Sequence, residues 1–431
     1  MKKNVLIFPS GSEGALDIFR ALRYNLHFRL FGFSGKENYT DFLFPEGQYY
    51  YGDERLYIGH PDFEEHFLSL LQQYQIDFII PTFDAVALKL MQMQPKMRAK
   101  VVCSPEETIR IANNKKQTYE ALKNSGIVPK TYETADQVDE YPVFAKPQEG
   151  MGSQGVRLIQ NEAEFSRVKA GPEQMVICEY LPGREYTVDC FTDRTGKLCF
   201  VGCRERTRIW HGISFRAELV EDERAKGIAE ILNRSFSFRG GWFFQVKEDR
   251  NGELKLLEFS ARLATNSSFF GKIGVNIPLL SLFDAMDLPV KAIPNETGLL
   301  QERCLRAAYR LSCEYDAVYI DFDDTLVVDR QVNTQLMAFV YQCINRGVKV
   351  FLLTRHYQDL DESMKRHRIS KDLFDEIIWL KDESPKAACI KEEKAIFIDN
   401  YFVERQDVQQ KLGIPVFDVD AVDALLDERR I

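Results

Sequence analysis

Short apolar runs broken by glycine- and proline-containing turns recur along the chain, and apolar residues return at helical spacing between them. Val5-Leu6-Ile7-Phe8 is such a run. It ends at Pro9-Ser10-Gly11-Ser12-Glu13-Gly14, after which Ala15 to Leu22 has helical periodicity, so the spacing predicts strand, loop, helix. The unit repeats: Asp77-Phe78-Ile79-Ile80 runs into Pro81-Thr82-Phe83-Asp84, and Lys100-Val101-Val102-Cys103 runs into Ser104-Pro105-Glu106-Glu107, a helix cap with proline in its first turn. An open parallel α/β sheet over residues 1–107 is expected.

Beyond it, helical Asn113 to Ser125 gives way to strands at Val143 to Lys146, Met175 to Cys178, Glu185 to Phe191 and Leu198 to Cys203, an α+β texture. Trp242 to Val246 and Leu254 to Arg262 read as a hairpin turning at Asp249-Arg250-Asn251-Gly252, which sets Gln245 beside Glu258. Near Gln301 to Glu314 a charged stretch with helical character leads to the apolar strand Ala317 to Ile320. The expected division is 1–107, 108–300, a linker at 301–313, and 314–431. No repeat of fixed period and no low-complexity segment interrupts it.

Composition narrows the class. With 431 residues, 45% hydrophobic and 28% charged, the chain is a multidomain globular protein. A net charge of -9 works against nucleic-acid binding through broad phosphate neutralisation. Val5 to Phe8 is too short for a signal-peptide core, and no run approaches the roughly 20 apolar residues that span a bilayer. The nine scattered cysteines lack zinc-ligand spacing and read as reduced thiols. A cytoplasmic protein with neither nucleic-acid nor membrane partners is expected.

Two constellations carry chemistry. In Val143-Phe144-Ala145-Lys146-Pro147 a lysine ends an apolar strand, and Glu149-Gly150-Met151-Gly152-Ser153-Gln154-Gly155-Val156 follows. Lysine supplies a point charge for phosphates, and glycines such as Gly152, with Ser153 beside it, let backbone N–H groups approach phosphate oxygens. Val176 to Asp189 then gives strand, Pro182-Gly183 turn and strand, with carboxylates at both ends. Gln245 and Glu258 offer oxygens suited to magnesium. Arg204, Arg206 and Arg208 alternate on one strand face; an anion site and a solvated stripe are both open for them. His211, Asp84 and the Ser10 to Gly14 loop are equally open.

These segments, in this order, resemble the ATP-grasp superfamily over roughly residues 1–300, nearest to members like the carbamoyl phosphate synthase large subunit and amino-acid ligases. Asn114-Lys115, Thr118-Tyr119 and Gly126-Ile127-Val128-Pro129 are similar to the family's lead-in, whose basic residue, here Lys115, contacts phosphate. The resemblance implies a pre-ATP-grasp domain followed by a two-lobed ATP-grasp domain. It implies that Lys146 holds the α and β phosphates, that Glu179 with the backbone of Tyr180 and Leu181 reads adenine, and that Glu185 takes the ribose hydroxyls. Gln245 and Glu258 would hold Mg²⁺, with Mn²⁺ as an alternative ion, and Arg262 would sit beside the transferring phosphoryl group. Ser260 stands where the family usually has asparagine as a second-metal ligand. The implied reaction phosphorylates a small-molecule carboxylate to an acyl phosphate that an amine attacks, in an enzyme of a type that commonly dimerises.

The second constellation begins at Ile320-Asp321-Phe322-Asp323-Asp324-Thr325, where two carboxylates share one side of a strand end: one to attack phosphorus and coordinate Mg²⁺, the other to shuttle a proton. It resembles the first motif of the haloacid dehalogenase superfamily over roughly residues 314–431. Val348 to Arg355, ending in the phosphate-binding Thr354, then Lys386 and Ala395-Ile396-Phe397-Ile398-Asp399-Asn400 match later motifs in order. The resemblance implies a Rossmann-like domain with Asp321 as nucleophile, Asp323 as general acid/base, and Asp321, Asp323 and Asp399 around the metal. Asn400 stands where a second acid is frequent, and Lys381 rivals Lys386. Single helices and loops are expected to fill the connections from Leu326 to Val348 and from Thr354 to Lys386, leaving no room for a cap. The leading expectation is a ligase fused to a phosphatase acting on a phosphorylated metabolite. An ATP-dependent small-molecule kinase, and a nucleotide-binding regulatory protein with a non-catalytic second half, are the other readings.

Overall fold

The computed structural model describes residues 2–150, 154–210, 212–427 and 429, and falls into two compact units, Met1–Leu305 and Arg306–Ile431. The first unit opens with a five-stranded sheet, in spatial order Tyr49–Tyr51, Phe28–Ser34, Lys3–Phe8, Phe78–Pro81, Lys100–Val101, parallel throughout. Alternation along the central strand sends Leu6 and Phe8 into one core and Val5 and Ile7 into another on the opposite face. The helix Glu13–Leu22 starts where Ser12 accepts from the Ala15 N–H at 3.1 Å. The cap expected at Ser104 does not form: Pro105 takes the N-cap position without a side-chain bond, and the Ser104 hydroxyl accepts from the Arg239 N–H instead, at 3.2 Å.

A four-stranded antiparallel sheet follows, ordered Thr131–Tyr132, Met175–Glu179, Val143–Pro147, Arg157–Ile159. It has its own small core around Val143, Ile159, Phe165 and Ile177. A six-stranded antiparallel sheet completes the unit, ordered Leu254–Ser260, Gly240–Glu248, Glu185–Thr192, Leu198–Trp210, Ile213–Val220, Leu300–Glu302. Leu6, Phe8, Leu90, Val188, Trp242 and Phe244 belong to one continuous apolar cluster. One apolar core therefore runs from the first sheet to the six-stranded sheet, with residues on both sides of position 107. The lobe that stands apart is the four-stranded one.

The stretch from Gln301 to Glu314, expected as a helical linker, is neither helical nor wholly a linker. Leu300–Glu302 closes the edge of the six-stranded sheet, and residues 303–315 carry no regular structure. An open strand edge offers hydrogen bonds on the spot, whereas a charged helix with no apolar face to bury gains too little to form.

The second unit is an open sheet of five parallel strands, ordered Glu376–Trp379, Lys349–Thr354, Ala317–Ile320, Ala395–Ile398, Val416–Phe417. Val318 and Ile320 face one core, Ala317 and Tyr319 the other. The connections are fuller than single helices. A two-stranded hairpin, Val327–Val328 with Gln331–Val332, precedes the helix Thr334–Asn345, and the edge strand Glu376–Trp379 follows the helix Leu360–His367. Neither connection holds an inserted domain. All nine cysteines are free thiols, five of them buried. Among the described residues no helix is long and apolar enough to cross a membrane.

Candidate functional site

Lys146 lies in the strand Val143–Pro147 of the small lobe, 6% exposed. Its Nζ donates to the Leu257 carbonyl oxygen at 3.0 Å and to the Tyr119 hydroxyl, and Tyr119 lies within hydrogen-bonding distance of the Leu256 and Leu257 carbonyl oxygens, at 3.1 and 2.8 Å. Burial pulls the Lys146 pKa below the ordinary lysine value, while Cys178 and Glu258 push the other way. This ammonium, buried against neutral oxygens, has no counter-ion at contact distance among the described residues, and an anion placed there would supply one.

Across from it, Gln245 and Glu258 are register partners in the hairpin, which turns through Gly252 at φ 81°. The Lys115 Nζ, at the start of the helix Lys115–Ala121, is 3.3 Å from Glu258 Oε2 and donates to the Gly150 carbonyl oxygen at 3.0 Å. Arg206 donates to Gln245 Oε1 at 3.1 Å, to the Gly212 carbonyl oxygen at 2.5 Å, and to Glu185, which also has Lys247 at 3.8 Å. Charge interactions among Lys115, Lys146, Glu185 and Glu258, with Arg206 bonded to both Gln245 and Glu185, join these contacts into one polar network from both lobes.

Beyond it, Asp84 accepts from Arg262 Nη2 at 2.5 Å and from the Ser260 hydroxyl. Ser260, expected to supply a metal oxygen, is therefore engaged by a carboxylate that opens the helix Asp84–Met93. The three arginines are no solvated stripe. Arg204 and Arg206 are 3% and 8% exposed, and Arg204 Nε donates to Asp189 Oδ2 at 2.8 Å; only Arg208, paired with Glu302, lies in the open. Strand pairing shifts register between Arg206 and Arg208, so strict alternation does not hold there.

Glu179 ends the strand Met175–Glu179 and accepts from the Lys130 N–H at 2.8 Å, holding one carboxylate oxygen on its own lobe. Leu181 is buried and Tyr180 half-buried. The Pro182-Gly183 turn brings Gly183 so close to the neighbouring strand that a Cβ would meet that of Glu248 at 2.5 Å, which makes glycine necessary. Gly152, Ser153 and His211 lie outside the described residues.

Sequence reasoning gave Tyr119 no role, although it quoted the residue in the lead-in. Arg303 and Asp17 carried no signal at all. Arg303 reaches Asn266 Oδ1 at 2.9 Å and Asp17 Oδ1 at 3.7 Å, and Asp17 accepts from the Ser268 N–H at 2.7 Å. Burial raises the Asp17 pKa, with Arg303 opposing it.

In the second unit Asp321, Thr354 and Asp399 stand at the C-terminal ends of three adjacent parallel strands, the end where open α/β sheets bind ligands. Lys386 Nζ donates to Asp321 Oδ1 at 2.6 Å and to Asp399 Oδ2 at 2.7 Å, all three side chains being buried. Burial works against the Lys386 charge, yet Asp321 and Asp399 more than offset it and its pKa lies above the ordinary value. Burial raises the Asp321 pKa, with Lys386 pulling it down and Asp399 adding to the rise. The rival Lys381 instead lies 4.4 Å over the Trp379 ring. Asp323 faces His356, whose Nδ1 is 2.9 Å from both carboxylate oxygens and whose Nε2 is 2.8 Å from the Ser363 hydroxyl. His356 went unnoticed, although it follows Thr354 by two residues. The Thr354 hydroxyl is fully buried and has no hydrogen-bond partner among the described residues. Asn400 turns to Thr325, accepting from its hydroxyl at 3.2 Å.

No three carboxylate, histidine or cysteine side chains converge on one point among the described residues. The donor sets still suit magnesium, which takes one or two protein carboxylates and completes its shell with phosphate oxygens and water. Asp321 and Asp399 around one lysine leave a net negative site, and Glu258 with Gln245 makes the other pair.

Residues 171–304 match the family model described as ATP-grasp in the biosynthetic pathway with Ter operon. The chain is 24% identical over 254 residues to the carbamoyl phosphate synthase arginine-specific large chain of Bacillus subtilis (strain 168), covering 53% of this chain and 24% of that protein. It thus spans about a quarter of that relative's length. Among solved structures, the N5-carboxyaminoimidazole synthetase of Staphylococcus aureus complexed with ADP superposes with a TM-score of 0.57 at 16% identity, covering 71% of this chain and 83% of that one. The biotin carboxylase domain of the Hydrogenobacter thermophilus 2-oxoglutarate carboxylase, holding MgADP, ADP and bicarbonate, gives 0.56 at 16% identity, covering 70% and 74%. The chain carries an ATP-grasp fold. Lys146 lies on the small lobe and Glu258 on the six-stranded sheet.

Proposed function

We propose that Met1–Leu305 is an ATP-dependent carboxylate–amine ligase and that Arg306–Ile431 is a magnesium-dependent phosphatase of the haloacid dehalogenase type. The observation that carries the ligase reading is the joining of Lys115 and Lys146 with Glu185, Gln245 and Glu258 into one network from two lobes. In this reading Lys146 and Lys115 hold phosphate oxygens, and Gln245 and Glu258 hold magnesium. Magnesium, when bound, neutralises charge on the phosphoryl group in transfer. A carboxylate oxygen attacks the γ phosphorus and ADP departs; an amine then attacks the acyl carbon and phosphate departs. Arg262, oriented by Asp84, lies two residues beyond the end of the strand that carries Glu258 and is available to the transferred group. The carbamoyl phosphate synthase and N5-carboxyaminoimidazole synthetase likenesses favour this reaction class.

The phosphatase reading rests on Lys386 bridging Asp321 and Asp399 beside the buried Thr354 hydroxyl. Asp321 would attack phosphorus, Asp323 would give a proton to the leaving oxygen, and water would then hydrolyse the aspartyl phosphate to free phosphate and the Asp321 carboxylate. Thr354 would hold a phosphate oxygen.

ADP release tests the first half, measured over a panel of carboxylates with and without amines. Stimulation only by a carboxylate–amine pair supports ligation; full stimulation by one compound alone replaces it with a kinase. Magnesium-dependent phosphate release from monoesters, abolished in Asp321→Asn, tests the second half.

A further inference from the structure

Three exposed aromatic residues follow the strand ends that carry the second unit's site. Tyr357 is 95% exposed, Phe402 63% and Tyr401 59%. Two chain segments supply them, and both are tied to the acidic cluster. Tyr357 follows His356, the residue that faces Asp323, and the Tyr401 N–H donates to Asp399 Oδ1 at 2.7 Å. Arg355 latches the two segments together: it pairs with Glu404, two residues beyond Phe402, and donates to the Ser384 carbonyl oxygen at 2.6 Å. The rings therefore stand at the same sheet end as Asp321, Thr354 and Asp399. The connections after Asp323 and Thr354 contain only a short hairpin, helices and an edge strand, with no cap to cover them.

We propose that Tyr357, Tyr401 and Phe402 form a rim that binds the leaving group, and that the substrate is a phosphomonoester carrying a flat apolar ring. The proposal rests on the phosphatase reading. Attack by Asp321 breaks the phosphorus–oxygen bond, the departing alkoxide takes its proton from Asp323, and the ring of the freed alcohol remains on the rim until it diffuses away. Aromatic faces reward a planar ring with stacking that an aliphatic chain of equal size does not match.

The test compares 2-phenylethyl phosphate with 2-cyclohexylethyl phosphate, which has the same number of carbons and a leaving alcohol of similar basicity, using the full chain with magnesium. One stacked ring predicts kcat/KM about tenfold higher for the phenylethyl ester. Tyr357→Ala and Tyr401→Ala, at exposed positions that do not threaten folding, should bring that ratio toward one. Binding is read separately by calorimetry in Asp321→Asn, where the phenylethyl ester should bind about tenfold tighter and lose that advantage when Tyr357→Ala is added. Equal kcat/KM and equal affinity for the two esters would overturn the rim and leave the phosphatase reading standing. Absence of magnesium-dependent release from either ester, at a rate no different in Asp321→Asn, would overturn the phosphatase reading and the rim's role with it.

Discussion

Tyr119 shows how much one hydroxyl can decide. It sits between Lys146 and the Leu256 and Leu257 carbonyl oxygens, so it transmits the position of the large sheet to the lysine of the small lobe. Tyr119→Phe removes one hydrogen bond to a charged group, so ATP affinity should fall by about fivefold, roughly 1 kcal/mol, with fluorescence titration of a nucleotide analogue as the check. An unchanged affinity would confine Tyr119 to packing. Lys386 makes the opposite case, a cation that two buried carboxylates require. Lys386→Met strands Asp321 and Asp399 side by side without a counter-ion, and the second unit's transition in urea should move by about 3 kcal/mol along with loss of phosphate release. Lys386 and Asp399 were named from the chain through the resemblance of their segments to known motifs, with Lys381 left as a rival that the structure places over Trp379 instead. Tyr119 and His356 were not legible, since their importance comes from partners distant in sequence, 27 residues for Tyr119 to Lys146 and 33 for His356 to Asp323.

At the scale of elements, the edge strand Leu300–Glu302 carries a consequence that its charged sequence hides. It pairs with Arg216 to Glu218, the Arg303 N–H donates to the Phe215 carbonyl oxygen at 2.7 Å, and Gln301 accepts from Asn266 at 2.6 Å. Gln301→Pro removes a ladder donor in the middle of that pairing, and thermal melting of the ATP-grasp unit should show a loss of roughly 2 kcal/mol. A melting curve that matches the parent would mean the edge contributes nothing. The hairpin around Gly252 was legible because its turn residues and its alternation agree, and Gln245 does face Glu258. Leu300–Glu302 was illegible because three residues have no period of their own, and the strand exists only where a partner edge is open.

For the molecule as a whole, the division into Met1–Leu305 and Arg306–Ile431 predicts two chemistries that fail separately. Glu258→Gln keeps the shape and removes the charge that Lys115 meets at 3.3 Å, so ADP release should drop at least about 100-fold while phosphate release from monoesters persists. Asp321→Asn should give the reverse. Loss of both activities in either variant would show that the units do not work independently.

What the chain determined alone is what periodicity and spacing encode: parallel strands with alternating faces, a hairpin register, and ordered acidic and basic motifs. These are local properties, set by the two-residue period of a strand and the geometry of a turn. The joining of the first and the six-stranded sheets through one core, the orientation of Arg262 by Asp84, the burial of Arg204 and Arg206, and the pairing of His356 with Asp323 were decided by tertiary structure. Each depends on which surfaces remain to be covered once the sheets have formed, and burial of a face is a property of two elements together.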